Sequence, residues 1–198
     1  WRRKDIKLRH LALIPAAYMA MMIPAFWGGK SLHHALTVYT AQASTYNFMT
    51  VNGPSLYNFL PASMDKGMLY TMFSGMAMAL GMAMLAIVCL MVCLHREHIT
   101  REGTLLTCLL VLGGVPFFLP KMHERYTFGA DVLALAIAAY NPKRVWLPLL
   151  FGLSSYICYT AGLPGDAIFD LKWATVFQGA VVALTAAALY RSLNEEKA

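Results

Sequence analysis

A short run of ionisable residues between two apolar stretches carries the chemistry that this sequence indicates most clearly. Lys121, His123, Glu124 and Arg125 fall within five residues, directly after Pro120. Arginine presents a planar fork that suits phosphate oxygens, lysine adds a point charge, and histidine donates to phosphates or moves protons near neutral pH. The run therefore predicts a site for a phosphorylated ligand. The competing interpretation is a solvated turn with a local ion pair between Glu124 and Arg125.

The composition indicates the medium in which such a site must work. Apolar residues make up 59% of the 198-residue chain and charged residues only 13%, against about 25% charged residues in typical globular chains. A soluble core of this size cannot hide so much apolar side chain, because too much of its area faces water. Strand alternation of the kind found in transmembrane barrels is not sustained anywhere. We therefore expect an all-α, polytopic membrane helix bundle.

Six transmembrane helices are predicted when about 20 apolar residues are taken as the length needed to cross. They cover residues 8–27, 67–94, 103–119, 126–140, 145–163 and 173–190, and the whole chain, 1–198, is expected to form a single transmembrane module. The fourth is short and carries Asp131, which extends the polar face of the ionisable run. In the second, the row Gly75, Ala79 and Ala83 is of a kind that permits close helix approach.

The loop charges predict the orientation. With the amino terminus inside, most of the 16 lysines and arginines fall in cytoplasmic segments, as membrane topology favours. Both ends are then cytoplasmic, and the ionisable run and the long loop of about residues 28–66 face outward. Basic clusters between apolar runs are typical of membrane loops, so nucleic acid is not an expected partner. Because the chain begins with Trp1 and not methionine, we expect a piece of a longer protein.

The long outer loop holds the second group of candidate residues. Its aromatic residues are expected to face the substrate at the interface, and amides such as Asn52 and Asn58 suit the hydroxyls of a sugar. The aromatic residues are Tyr39, Tyr46, Phe48, Tyr57 and Phe59. Residues 31–44 are predicted to form a helix in the membrane interface, where aromatic rings favour the headgroup level. The alternative is that these rings simply pack on the helix bundle.

The residues around the ionisable run resemble a motif of a known family. The stretch from Leu119 to Tyr126, followed by Phe128, Ala130, Asp131 and Val132, is similar to a motif of bacterial membrane mannosyltransferases. These are relatives of the GPI-anchor second mannosyltransferase, in the GT-C glycosyltransferase class. The stretch with Tyr39, Gln42 and Tyr46, continued by residues 50–57, resembles a second block of that family, usually built as Asn-Ala-Pro-Asn-Leu-Tyr. This resemblance places Gln42 among the substrate-facing residues. Gly53 and Ser55 depart from that pattern.

The resemblance implies an activity and a set of roles. The enzyme would move a hexose, mannose-like, from a polyprenyl-phosphate-linked donor to a glycan or lipid-linked acceptor, at the outer face of a bacterial plasma membrane and among membrane lipid. Donor phosphate binding falls to Lys121, His123 and Arg125, and an orienting role to Glu124 and Asp131. The resemblance places the general base, an aspartate, upstream of Trp1, so no catalytic residue is assigned in this chain.

Other interpretations stay open from the residues themselves. Nothing in the sequence requires a cofactor or a divalent metal, because one histidine with two carboxylates supplies too few reliable ligands. A transporter or flippase for a lipid-linked or anionic substrate would also use charges near the membrane. A non-catalytic scaffold subunit is a further alternative, although it would not need a clustered ionisable site.

The charge count makes the topology testable. In a background without native cysteines, cysteine at Lys143 or Arg144 should be protected from a membrane-impermeant maleimide in intact cells. Cysteine at His33, His123 or Asp166 should be labelled, because these positions are expected outside. Labelling at 143 without labelling at 33 would overturn the orientation, and the outward-facing site with it.

Overall fold

The computed structural model describes residues 12–61, 63–97, 99–163 and 168–194. They fall into two compact units, which divide after Tyr46. Helices cover most of the described residues, which confirms the all-α expectation, and the rest are loops, turns and two strands of two residues each. The amino-terminal basic cluster, the first residues of the first predicted span, and Asp166 lie outside the described residues.

The described residues of the first unit form three α-helices: α1 (Leu13–Met21), α2 (Ile23–Trp27) and α3 (Leu32–Thr45). The predicted first span is therefore broken at Met22. Pro24 lies at the start of α2, where its missing N–H interrupts the helical hydrogen bonds that a continuous span would need. Helix α3 covers the segment predicted as an interfacial helix, and the side chain of Ser31 caps its amino end.

In its described residues, the second unit holds five α-helices: α4 (Lys66–Leu94), α5 (Arg101–Phe118), α6 (Phe128–Tyr140), α7 (Trp146–Gly162) and α8 (Leu171–Asn194). In the described part of the chain, α4, α5, α7 with the turn before it, and α8 are long and apolar enough to cross a membrane. These are the features of a membrane protein. Helix α6 has 13 residues and rises only about 20 Å, against about 30 Å for the hydrocarbon core. Six spans therefore stay a prediction.

Local sequence explains where these helices begin and end. Asp65 caps α4 by accepting from the Met68 N–H, and Thr100 caps α5 by accepting from the Gly103 N–H. The third predicted span stops at residue 119 because a proline, Pro120, follows and breaks the helix, and α5 stops two residues before that proline. Proline disfavours helix in the residue before it, so the chain leaves the bundle at this point.

The core of the second unit lies around α5, which packs against α4, α6 and α8. Its largest buried side chains are apolar: Leu106, Leu109, Leu110, Ile137, Phe151 and Leu189. Close helix approach occurs at Gly113, where an added Cβ would lie 2.6 Å from the Phe151 ring. The row of small residues predicted on α4 does not lie at a close helix contact. Gly75 has open space around it, whereas Gly81, on another face of α4, meets the side chain of Leu119.

This packing predicts unequal effects for two glycine substitutions. Gly113→Ala should destabilise the bundle by roughly 1–3 kcal/mol, because its methyl group overlaps the buried Phe151 ring. Gly75→Ala is the matched control on a transmembrane helix with open space, and it should be neutral or slightly stabilising. Thermal unfolding in detergent measures both. Equal losses would contradict the packing described here.

Candidate functional site

Two segments that are far apart in sequence pair at one end of the second unit. Strand β1 (Thr50–Val51) lies parallel to strand β2 (Met122–His123), with Thr50 opposite Met122 and Val51 opposite His123. The next residue, Asn52, forms a further bridge to His123. The Lys121 N–H donates to the Met49 carbonyl at 3.1 Å and extends the ladder. The long loop and the ionisable run are thus joined through their backbones.

Both partners of this pairing contain a residue in the left-handed region. Asn52 has φ 57° and Lys121 has φ 64°. Asparagine adopts this conformation readily, whereas a lysine rarely does. Strain of this kind costs on the order of 1–3 kcal/mol and persists where the surroundings determine it, often at functional sites. Here the hydrogen bond from the Lys121 N–H holds the turn that leads into His123.

The two departures from the family pattern have local physical reasons. An added Cβ at Gly53 would lie 2.6 Å from the Met122 carbonyl oxygen, so only glycine fits this close backbone approach. Ser55 is fully buried. Its hydroxyl accepts from the Tyr57 N–H, and its carbonyl accepts from the Thr175 hydroxyl on α8.

Side chains of the same loop fasten it to the helices. The Tyr57 hydroxyl donates to the Phe118 carbonyl at 2.6 Å, at the last residue of α5. Burial raises the pKa of Tyr57 above its usual value, which keeps the hydroxyl protonated as a donor. The Asn58 amide donates to Gly53 and to Thr175 of α8, at 2.9 and 3.0 Å. Tyr57, predicted to face the substrate, therefore has a bracing contact in this structure.

The ionisable run contacts two different helices. The Lys121 ammonium lies 4.6 Å from the ring centroid of Tyr70 on α4, within cation–π range. Glu124 packs against the α7 terminus, since an added Cβ on Gly162 would lie 3.3 Å from its carboxyl carbon. Lys121 is thus held on the α4 side, and Glu124 on the α7 side.

Glu124 lies between the other two basic side chains of the run. Its carboxylate is 3.9 Å from His123 Nδ1 and 3.5 Å from Arg125 Nε. The side chains of His123 and Glu124 are largely buried, whereas that of Arg125 is 68% exposed. The His123 ring also meets the Tyr126 ring edge to face. This geometry fits a carboxylate that orients the basic side chains on either side of it. The exposed side chain of Arg125 is accessible to a ligand.

Asp131 contacts α7 through its carboxylate. Both of its oxygens accept from the Ser155 hydroxyl, at 3.0 and 2.7 Å. Ser155 also lies 3.3 Å from the Thr127 hydroxyl, at the end of the ionisable run. Asp131 therefore holds α6 against α7. Its orienting role toward the basic residues stays a prediction.

The structure divides the other loop candidates between the two units. Asn52 and Tyr57 belong to the second unit, beside the ionisable run. Tyr39 and Gln42 lie on α3 in the first unit, and their side chains fall outside the described part of the chain. Tyr46 directly follows α3 and is exposed.

A cavity of about 270 Å³ lies beside β1 in the second unit. Its lining combines apolar and polar residues: Phe48, Met49, Thr50, Asn52, Tyr57, Asn58, Leu60, Pro61, Met64, Lys66, Leu69 and Leu171. Phe48 is one of the loop aromatics that the sequence predicts beside the site, whereas Lys66 was missed as a site residue. The available signal was the spacing of Lys66 and Tyr70, four residues apart and so on one face of α4.

Two further observations complete the site. Within residues 12–61, 63–97, 99–163 and 168–194, no group of three or more histidine, cysteine, aspartate or glutamate side chains is placed to hold a metal ion. The chain matches none of the family models, curated proteins or solved structures with which it was compared.

The β1–β2 contact makes Gly53 a sensitive position. Gly53→Ala should separate the two segments, because the new methyl group meets a backbone carbonyl that cannot rotate away. We expect faster proteolytic cleavage within residues 47–61 and a lower melting temperature. Gly129→Ala, where the nearest side-chain atoms are 3.9 Å away, is the control and should behave as the native protein does. Unchanged protection in Gly53→Ala would contradict the described pairing.

Proposed function

We propose that this chain is part of an integral membrane glycosyltransferase of the GT-C class. It moves a hexose from a polyprenyl-phosphate-linked donor to a glycan or lipid-linked acceptor at the outer face of a membrane. The observation that supports this most directly is the pairing of β1 with β2. That pairing brings the two segments that carry the family resemblance into one place, at one end of four helices of membrane-spanning length.

The proposed reaction assigns work to the basic residues. The bond between the sugar C1 and the phosphate oxygen breaks, the acceptor oxygen bonds to C1, and a base takes the acceptor proton. Polyprenyl phosphate leaves with one more negative charge than the phosphodiester carried. Lys121, His123 and Arg125 stabilise that charge, and loss of one such donor costs about 3 kcal/mol where the bound donor excludes water. No residue of this chain is proposed as the base.

Glu124 has a positioning role in this proposal. Its carboxylate lies close to both His123 and Arg125 and is fixed against the end of α7. It lowers the local positive charge before the donor arrives, and it keeps the Arg125 guanidinium near the ionisable run. Arg125 is exposed, so it is free to turn its planar fork toward two phosphate oxygens.

The test compares arginine variants in sugar transfer from a synthetic polyprenyl-phosphate-mannose by the native protein that contains this chain. Arg125→Ala should lower the rate roughly 100-fold or more, because a charge-stabilising donor is lost. Arg125→Lys should keep part of the activity, because the charge survives while the bidentate fork is lost. His123→Ala should also lower the rate.

Arg96→Ala is the matched control. Arg96 is also exposed and also lies near a neighbouring glutamate, at 3.8 Å from Glu97, but it follows the other end of α4. Its loss should leave transfer unchanged. Transfer by Arg125→Ala at the native rate would show the run to be a solvated turn. Donor movement across proteoliposomes without sugar transfer would favour the transporter alternative.

A further inference from the structure

The cavity beside β1 has the size and lining of a ligand site, and its lining does not include residues of the ionisable run. Its volume, about 270 Å³, is close to the lower end of the roughly 300–1,000 Å³ range of ligand pockets, and so it suits a ligand of one ring. Apolar side chains form much of its lining, and four polar side chains contribute: Thr50, Asn52, Asn58 and Lys66. A few polar groups in an apolar cavity fix the orientation of a ligand.

The two asparagines supply groups that recognise hydroxyls. Within the part of the chain that the structure describes, Asn58 bonds through its Nδ2, which donates to Gly53 and Thr175, and its Oδ1 is left as an acceptor. The Asn52 side chain makes no hydrogen bond within the described residues, although its backbone is fixed against His123. A carboxamide carries both donors and an acceptor, which matches the paired hydroxyls of a sugar ring.

Positive charge lies on the same side of the bundle. The Lys66 ammonium is 5.6 Å from the centroid of the Phe48 ring, and both residues line the cavity. One turn further along α4, the Tyr70 ring makes a cation–π contact with the Lys121 ammonium. The Asp65 carboxylate precedes Lys66 and accepts from the Met68 N–H as the cap of α4. The Lys66 ammonium at the cavity, with the Lys121 ammonium one turn along α4, favours an anionic ligand.

We propose that this cavity binds the phosphorylated hexose of the donor. Asn52 and Asn58 bind the sugar hydroxyls, and Lys66 joins Lys121 in binding the phosphate. The identity of the ligand as the donor rests on the proposed function. Because β1 both lines the cavity and pairs with β2, the bound sugar lies one strand away from His123.

Binding of three probes to the native protein in detergent tests this assignment. The probes are polyprenyl-phosphate-mannose, polyprenyl phosphate without the sugar, and mannose 1-phosphate. Asn52→Gly keeps the left-handed backbone and removes only the carboxamide. It should weaken the two mannose probes roughly tenfold and leave polyprenyl phosphate unchanged. A purely structural defect would weaken all three probes alike, and that result would overturn the proposal.

Lys66→Gln should weaken all three probes, because each of them carries the phosphate. Lys172→Gln is its control, since Lys172 is likewise a lysine in the first turn of a long helix but is 3.8 Å from Asp170 and does not line the cavity. We expect the lipid-linked mannose to bind more tightly than mannose 1-phosphate. Equal binding of the two would support the cavity and assign it to a water-soluble hexose phosphate.

Parallel transfer assays separate this proposal from the proposed function. If the native protein transfers mannose while Asn52→Gly and Lys66→Gln bind every probe normally, the cavity assignment is wrong and the transferase stands. If Asn52→Gly weakens only the two mannose probes and Lys66→Gln weakens all three while no transfer occurs, the cavity stands and the transferase is wrong. A native protein that binds none of the probes overturns the cavity assignment.

Discussion

The pairing of β1 with β2 is the constraint on which the candidate site depends. Backbone groups near a membrane must find partners within the protein, because hydrocarbon offers none. The loop before α4 and the turn after α5 satisfy one another through this short ladder and the bond from the Lys121 N–H to the Met49 carbonyl. The glycine at position 53 and the left-handed Asn52 and Lys121 follow from this close approach.

The surrounding helices hold the ladder from three sides. Helix α5 contributes the Phe118 carbonyl to Tyr57, α8 contributes Thr175 to the loop, and α7 supports Glu124 at Gly162. Each contact is modest, since a hydrogen bond contributes about 1 kcal/mol net. Together they fix the segment that carries His123 and Arg125 relative to helices of membrane-spanning length. A fixed array of cations is what stabilisation of a leaving phosphate requires.

Hydropathy was sufficient to predict the long helices, and Pro120 was sufficient to predict where α5 ends. The interruption of the first predicted span at Met22 was missed, because its apolar run continues through Pro24. Close packing on α4 was assigned to the face that carries Gly75, whereas it occurs at Gly81. Both are glycines in an apolar helix, so the sequence alone does not distinguish them. Only the position of Leu119, supplied by the tertiary structure, distinguishes them.

The candidate site was also predictable only in part, because the sequence does not show which segments the fold brings together. Clustered charges identified the ionisable run, and aromatic and amide content identified Asn52. Two-residue strands leave no periodic signal, so the pairing of these segments could not be read from the sequence. Lys66 was missed because a single cation becomes part of a site only where the fold places it beside Phe48, at the cavity.

Photocrosslinking tests the central claim, that one end of the bundle binds a phosphorylated sugar lipid, more directly than any rate measurement. A polyprenyl-phosphate-hexose with a photoreactive group on the sugar would be irradiated with the native protein, and the adducts mapped by mass spectrometry. We expect adducts within both residues 47–69 and residues 119–127, and unlabelled donor should displace them. Adducts confined to residues 95–101 and 141–145, at the other ends of the same helices, would contradict it.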